Sequence, residues 1–184
     1  MEDIFKWFKE LFNSEKITNN IIDDALEKIG ISVEDLPKNP YSAVESQKNL
    51  EIIIKDLSKN KRLAFNPEKP ALKELGIKLP KSKNGLSVDF AETEYLYKTA
   101  GEEKNIVTIK LTGDELLDKK LANKLANLKK QPKGFTWHHL DDYNPKRGTC
   151  TMQLVETIIH KASCPHYGAV KLIEDLLKIV YKNR

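Results

Sequence analysis

The sequence predicts an α+β chain, with a helical N-terminal region and linker at residues 1–84 and a mixed domain at residues 85–184. Three observations predict it. Apolar residues recur at helical spacing through the first 60 positions, Pro67, Pro70, Pro80, Gly76 and Gly85 crowd the stretch from Asn60 to Leu86, and the pattern then turns to short alternating runs between helices.

In the first region, Ile4, Phe5, Trp7, Phe8, Leu11 and Phe12 mark one helical run and Ile21, Ile22, Ala25, Leu26 and Ile29 a second, closed by Gly30. Trp7 and the phenylalanines around it suit a packed helix face better than a membrane-surface helix, because acids there match bases. A further helix is predicted from Ala43 to Lys59. Between Asn60 and Leu86, seven basic residues stand against two acids, around a short helix. Ile106 to Leu111 alternates as a strand does. Thr112 and Glu115 have the form of a capping box for a helix whose face carries Leu117, Leu121, Leu125 and Leu128 and which ends near Lys130. Phe135–Leu140 and Cys150–Val155 read as two strands of a hairpin joined by the turn-rich DDYNPKRG. A helix from about Glu156 is broken by Pro165 and Gly168, and an amphipathic helix from about Val170 to Tyr181 ends the pattern.

Composition narrows the function classes. At 184 residues, 40% hydrophobic and 32% charged, the chain has material for a core and is not disordered by composition. No apolar run reaches the roughly 18 residues a membrane span requires, so stable membrane insertion is not expected, and Glu2 and Asp3 stand where a Sec signal would be basic. Cys150 and Cys164 exclude a disulfide scaffold and leave one bridge, two free thiols or metal ligation open. The net charge of +4 is unevenly spread: residues 1–60 hold 8 lysines and 12 acids, whereas Lys119–Lys133 holds six lysines and no acid.

All four histidines, His138, His139, His160 and His166, fall within the 29 residues from 138 to 166. Adjacent strand residues point to opposite faces, so His138 and His139 share one site only if the strand ends or bulges near Leu140. A hairpin packed on the following helix would gather histidines around one cation, for which imidazole nitrogens are suited. A structural Cys/His zinc site and a Cys164–His thiol nucleophile are the alternatives, and neither has its usual spacing or its remaining parts.

The stretch GFTWHHLDDYNPKRGTCTMQLVETIIHKASCPHYGAVKLIE resembles the WHH group of the HNH/endonuclease VII superfamily, nuclease domains found in bacterial polymorphic toxins. The motif lies in Trp137, His138 and His139, then Met152, Gln153 and Leu154, then His160 and His166, and the likeness extends upstream to VDF at Val88–Phe90. It implies an HNH-type ββα-metal fold for residues 85–184. It also implies His138, His160 and His166 as ligands of one divalent ion (Zn, Ni, Mg or Mn), and His139 as general base. Gln153 stands where the superfamily carries the Asn that orients the base, and the step from His160 to His166 across Pro165 departs from the tighter spacing of many relatives.

These roles imply a metal-dependent endonuclease toxin that cuts DNA with little sequence reading, acts in the cytoplasm of a target cell after export by a non-Sec route, and is held in check by a cognate immunity protein. Lys129, Lys130, Lys133, Lys146 and Arg147 flank the histidine pair and are the candidate phosphate contacts. Two alternatives remain: an RNase of the same fold acting on tRNA, and a non-catalytic, zinc-stabilised module that binds nucleic acid or protein.

Overall fold

A three-stranded antiparallel sheet, ordered β1-β3-β2, organises the computed structural model, which describes the backbone of residues 2–184 and the side chains of Glu10 and residues 14–184. The expected packing of Ile4, Phe5, Trp7, Phe8, Leu11 and Phe12 lies outside the described side chains. The strands are β1 (Ile106–Lys110), β2 (Phe135–His139) and β3 (Thr149–Glu156). The helices are α1 (Glu2–Lys28), α2 (Ala43–Lys59), α3 (Pro70–Glu74), α4 (Glu115–Leu125), α5 (Thr157–Ser163) and α6 (Ala169–Leu177).

Most of these elements follow the local signals. The two N-terminal runs join into the single helix α1, because no breaker separates Phe12 from Ile21. Ser42 and Glu45 form a reciprocal capping box at the start of α2. Three expectations need correction. Helix α4 ends at Leu125, five residues short of Lys130, and Asn127 just beyond it takes the left-handed conformation (φ 56°) that turns the chain. The cap of α4 is Asp114, whose carboxylate accepts from the amides of Leu116 and Leu117, and Thr112 instead donates to Asp118. The last helix stops at Leu177, four residues early, where Lys178 takes the left-handed conformation (φ 56°) and turns the chain into a tail. That tail pairs with the N-terminus of α4: Lys182 N donates to Gly113 O at 2.9 Å, and Glu115 N donates to Lys182 O at 3.1 Å.

Register assigns the two faces of the sheet. Trp137 pairs with Leu154, His139 with Met152 and Val107 with Met152, and their buried face packs against α1, α2, α4 and α6 through Ile22, Leu26, Leu50, Leu121, Leu172 and Ile173. Trp137 is buried in this core, and its Nε1–H donates to Asn123 Oδ1 at 2.9 Å. On the other face, Val155 joins a second cluster with Phe65, Leu72, Leu79, Val88, Phe90 and Ile159. Both clusters draw residues from each side of position 85, so the hydrophobic core is continuous across the boundary that the sequence suggests. No described helix is long and apolar enough to cross a membrane.

Candidate active site

The end of the β2–β3 hairpin and the helix after it place the histidines. His138 pairs with Gln153 and therefore leaves the sheet on the face covered by α5 and by the segment around Phe90. There Phe90 meets the His138 ring edge-on, with centroids 5.2 Å apart. His160, in the last turn of α5, and His166, beyond Pro165, complete a triangle: ring centroids are 5.3 Å apart for His138–His160, 4.9 Å for His138–His166 and 5.1 Å for His160–His166. One nitrogen from each of the three rings lies within 4.8 Å of the others, and this group could hold a metal ion.

Hydrogen bonds set which nitrogen His138 presents. Its Nε2 lies 3.0 Å from the Val88 carbonyl oxygen, which can only accept, so Nε2 carries the proton and Nδ1 keeps the lone pair. Ser87 Oγ sits 3.2 Å from the same Nε2. Lys69 donates to the carbonyls of Ser163 and Pro165 and so anchors the turn that carries His166. Gln153 is buried and fully used. Its Oε1 accepts from Phe90 N at 2.9 Å, and its Nε2 donates to Asp89 Oδ1 at 2.6 Å. The amide thus fastens the 89–90 segment over His138, and among the described residues it makes no hydrogen bond to His139.

His139 is the last residue of β2, and its ring leaves the opposite face of the strand from His138. The strand is regular up to that point, so the pair does not converge on one centre, and His139 stands outside the three-histidine group. It remains near enough that its charge bears on both His138 and His160. Its Nε2 is 2.9 Å from Asp118 Oδ2 in α4. Asp118 is buried and accepts four donors: Thr112 N at 2.9 Å, Thr112 Oγ1 at 2.7 Å, Tyr181 Oη at 2.6 Å and His139. At Gly168 the chain passes so close that a Cβ would lie 2.3 Å from the carbonyl oxygen of His139.

Burial governs the protonation of the triangle. It holds the His138 imidazolium well below its usual range, with the charges of His166 and His160 adding to the effect. Burial first, and then His166, bring His160 down to about 3, and burial brings His166 to about 4. At neutral pH all three rings are neutral, the state that ligates metal. In the unfolded chain these groups titrate near 6.5, so between about 6.5 and 3 the unfolded state binds more protons than the metal-free folded state. Their contribution to stability is therefore complete above pH 6.5 and is lost as pH falls toward 3. Urea unfolding of the metal-free protein at pH 7.5, 6.0 and 4.5 is expected to show falling midpoints, with a shallower fall in His160→Gln. Parallel falls in the two proteins would refute this account.

The candidate phosphate contacts are dispersed. Lys129, Lys130, Lys133 and Lys146 are exposed. Lys129 lines a groove of about 600 Å³ with Lys28, Lys104 and Lys124, while Lys146 and Arg147 line another with Leu36 and Lys38, and no histidine lines either. Arg147 is 3.6 Å from Glu15 of α1. The lysines whose charge bears on His160 and His166 are Lys119 and Lys69, respectively. Sequence reasoning passed over both, together with Asp118 and Tyr181. For Asp118 a signal existed: it lies three, four and seven positions before Leu121, Ala122 and Leu125, an acid set in the apolar stripe of a helix.

The fold and site together define a small α+β protein in which an antiparallel hairpin, the helix after it and the turn beyond gather one buried and two half-buried imidazoles, with a carboxylate-bound fourth at the edge of the sheet. Residues 127–175, 49 of the 184, match a family model described as a nuclease of the HNH/ENDO VII superfamily with conserved WHH. The matched segment contains Trp137, His138, His139, Gln153, His160 and His166, and over these residues the likeness to WHH nucleases seen in the sequence is found again. No curated protein and no solved structure matches the chain. A nuclease acts on nucleic acid, and that is the substrate class the match supports.

Proposed function

We propose that the protein is a metal-dependent endonuclease that hydrolyses phosphodiester bonds of DNA with little sequence preference. One observation carries this reading: the segment that matches a nuclease family is the one that assembles nitrogens of His138, His160 and His166 within 4.8 Å of one another, with His139 near enough for its charge to bear on two of them. With one imidazole nitrogen from each within 4.8 Å of the others, His138, His160 and His166 fit a donor set that would hold one divalent ion. Three neutral nitrogens suit Zn or Ni better than Mg, which prefers oxygen ligands. When bound, a divalent cation supplies positive charge against the charge that builds on the phosphate and the departing 3′ oxygen.

The chain's own residues supply the remainder. Asp118 holds the Nε2–H of His139, leaving Nδ1 as the nitrogen able to take a proton from an attacking water. Lys119 and Lys69 add positive charge near the centre, and the exposed lysines Lys129, Lys130, Lys133 and Lys146 favour phosphate contacts over base reading. The toxin reading belongs to this proposal: action in the cytoplasm of a target cell, reached by a non-Sec route, and neutralisation by an immunity protein.

Supercoiled plasmid and tRNA, each incubated with protein and Mg²⁺, Mn²⁺, Ni²⁺ or Zn²⁺, test the proposal against an EDTA control. Nicking of plasmid that EDTA abolishes is expected. Preferential loss of tRNA would replace DNase with RNase, and a protein that EDTA unfolds and that cuts neither polymer would be the zinc-stabilised binding module. Gly168→Ala is expected to slow plasmid cutting by about 10²-fold, because its Cβ must displace the His139 backbone. An unchanged rate in that variant would show that the contact is immaterial.

A further inference from the structure

We infer that Asp118, held by Tyr181 and Thr112, is the positioning residue for His139, selecting the tautomer whose Nδ1 keeps its lone pair as proton acceptor. This inference rests on the nuclease reading above, and extends it to residues 112, 118 and 181, all of which lie outside the matched segment 127–175.

The geometry carries it. A carboxylate has about four lone-pair sites, and Asp118 fills them with the amide and hydroxyl of Thr112 on Oδ1 and the Tyr181 hydroxyl and His139 Nε2 on Oδ2. An ionised carboxylate can only accept, so the proton on Nε2 is specified and Nδ1 is left as the acceptor. Two long-range features of the fold exist at this point. The tail after α6 pairs with residues 113–115 and thereby brings the Tyr181 hydroxyl to within 2.6 Å of Asp118. Thr112, which resembles the start of a capping box in sequence, instead turns both its amide and its hydroxyl onto Asp118, 2.9 and 2.7 Å away. Asp118 is fully buried, and the fraction of the His139 side chain left accessible is only 9%, so water does not compete for this bond.

The arrangement differs from a purely structural hydrogen bond in what Asp118→Asn does. The side-chain oxygen of Asn can keep both Thr112 bonds, but its NH₂ then faces Tyr181 and His139 and donates where the carboxylate accepted. Nε2 becomes the acceptor and the proton moves to Nδ1, which removes the Nδ1 lone pair without removing the ring.

The test uses the full chain. Long-range ¹H–¹⁵N correlation of the histidines in metal-free protein at pH 8 reads the His139 tautomer, and steady-state plasmid cutting with the metal that supports it reads kcat and KM. Wild-type protein is expected to show Nε2–H at His139. Asp118→Asn is expected to show Nδ1–H and to lose between about 10²- and 10⁴-fold in kcat, with KM within about threefold and zinc stoichiometry unchanged. Nδ1–H in the wild type, or a kcat in Asp118→Asn within about threefold of wild type, overturns the inference. Should Asp118→Asn not fold, the wild-type tautomer decides alone. Wild-type cutting left intact by Asp118→Asn overturns the positioning role only, whereas a wild type that cuts neither plasmid nor tRNA overturns the nuclease reading and the positioning role with it.

Discussion

Replacing His139 with alanine is expected to reduce metal-dependent plasmid cutting by between about 10²- and 10⁴-fold, the range that a positioned general base supplies. The reason is local. His139 stands outside the group His138, His160 and His166, so its loss leaves all three candidate ligands in place, and zinc stoichiometry measured after dialysis is expected to equal that of the wild type. The fold also survives, because Asp118 keeps three of its four donors, from Thr112 and Tyr181. The lost hydrogen bond costs about 1–3 kcal/mol, visible as a lower Tm with an unchanged far-UV spectrum. Cleavage at the wild-type rate would remove His139 from the chemistry. Loss of bound zinc would make it a ligand instead.

The opposite pairing of effects is expected at His160. Among the described residues its imidazole makes no hydrogen bond to the protein, although the ring is largely buried between His138 and His166. If His160 is a ligand, as proposed, His160→Ala is expected to lower zinc affinity by more than about 100-fold, beyond the effect of losing an outer-sphere contact. Cutting falls with it. The two variants therefore separate the functions of the cluster: His139→Ala keeps metal and loses activity, and His160→Ala loses both. Equal zinc stoichiometry in His160→Ala and wild type would sink the ligand assignment. Because the His160 imidazole makes no hydrogen bond among the described residues, and the bonds to its backbone carbonyl survive truncation, its removal is not expected to unfold the metal-free protein, and urea midpoints at pH 7.5 check this.

Much of the architecture was legible because it is encoded locally. Helix α2 coincides with the predicted Ala43–Lys59, since Ser42, Glu45 and an amphipathic run specify it without distant contacts. Each hairpin strand is found within one residue of the expected ends, since alternation and a turn-rich connection act over short spans. Errors fell where distant partners compete. Thr112 was read as a cap because the pattern T-x-x-E carries that meaning locally, yet its hydroxyl is shared between Asp118 and the backbone of Asp114, and the Asp114 carboxylate takes the first helical amides. The final helix was read through Tyr181, but Lys178 turns, and the tail gains backbone hydrogen bonds at Gly113 and Glu115.

By itself the sequence determined the class of the site: four histidines in one stretch, the strand, strand, helix order around them, and a motif that matches a nuclease family over residues 127–175. Only the tertiary structure decided how those histidines divide. Adjacent residues on a regular strand must face opposite ways, and the layers packed on the two faces of the sheet determine what each ring meets. His138 meets the imidazoles of His160 and His166, whereas His139 meets Asp118. Asp118 lies 21 residues away in sequence, and Tyr181, which steadies it, lies 63 residues beyond that. No local pattern joins residues so far apart. Packing the α4 and C-terminal segments on one face of the sheet does, because a buried carboxylate must find its donors within the protein.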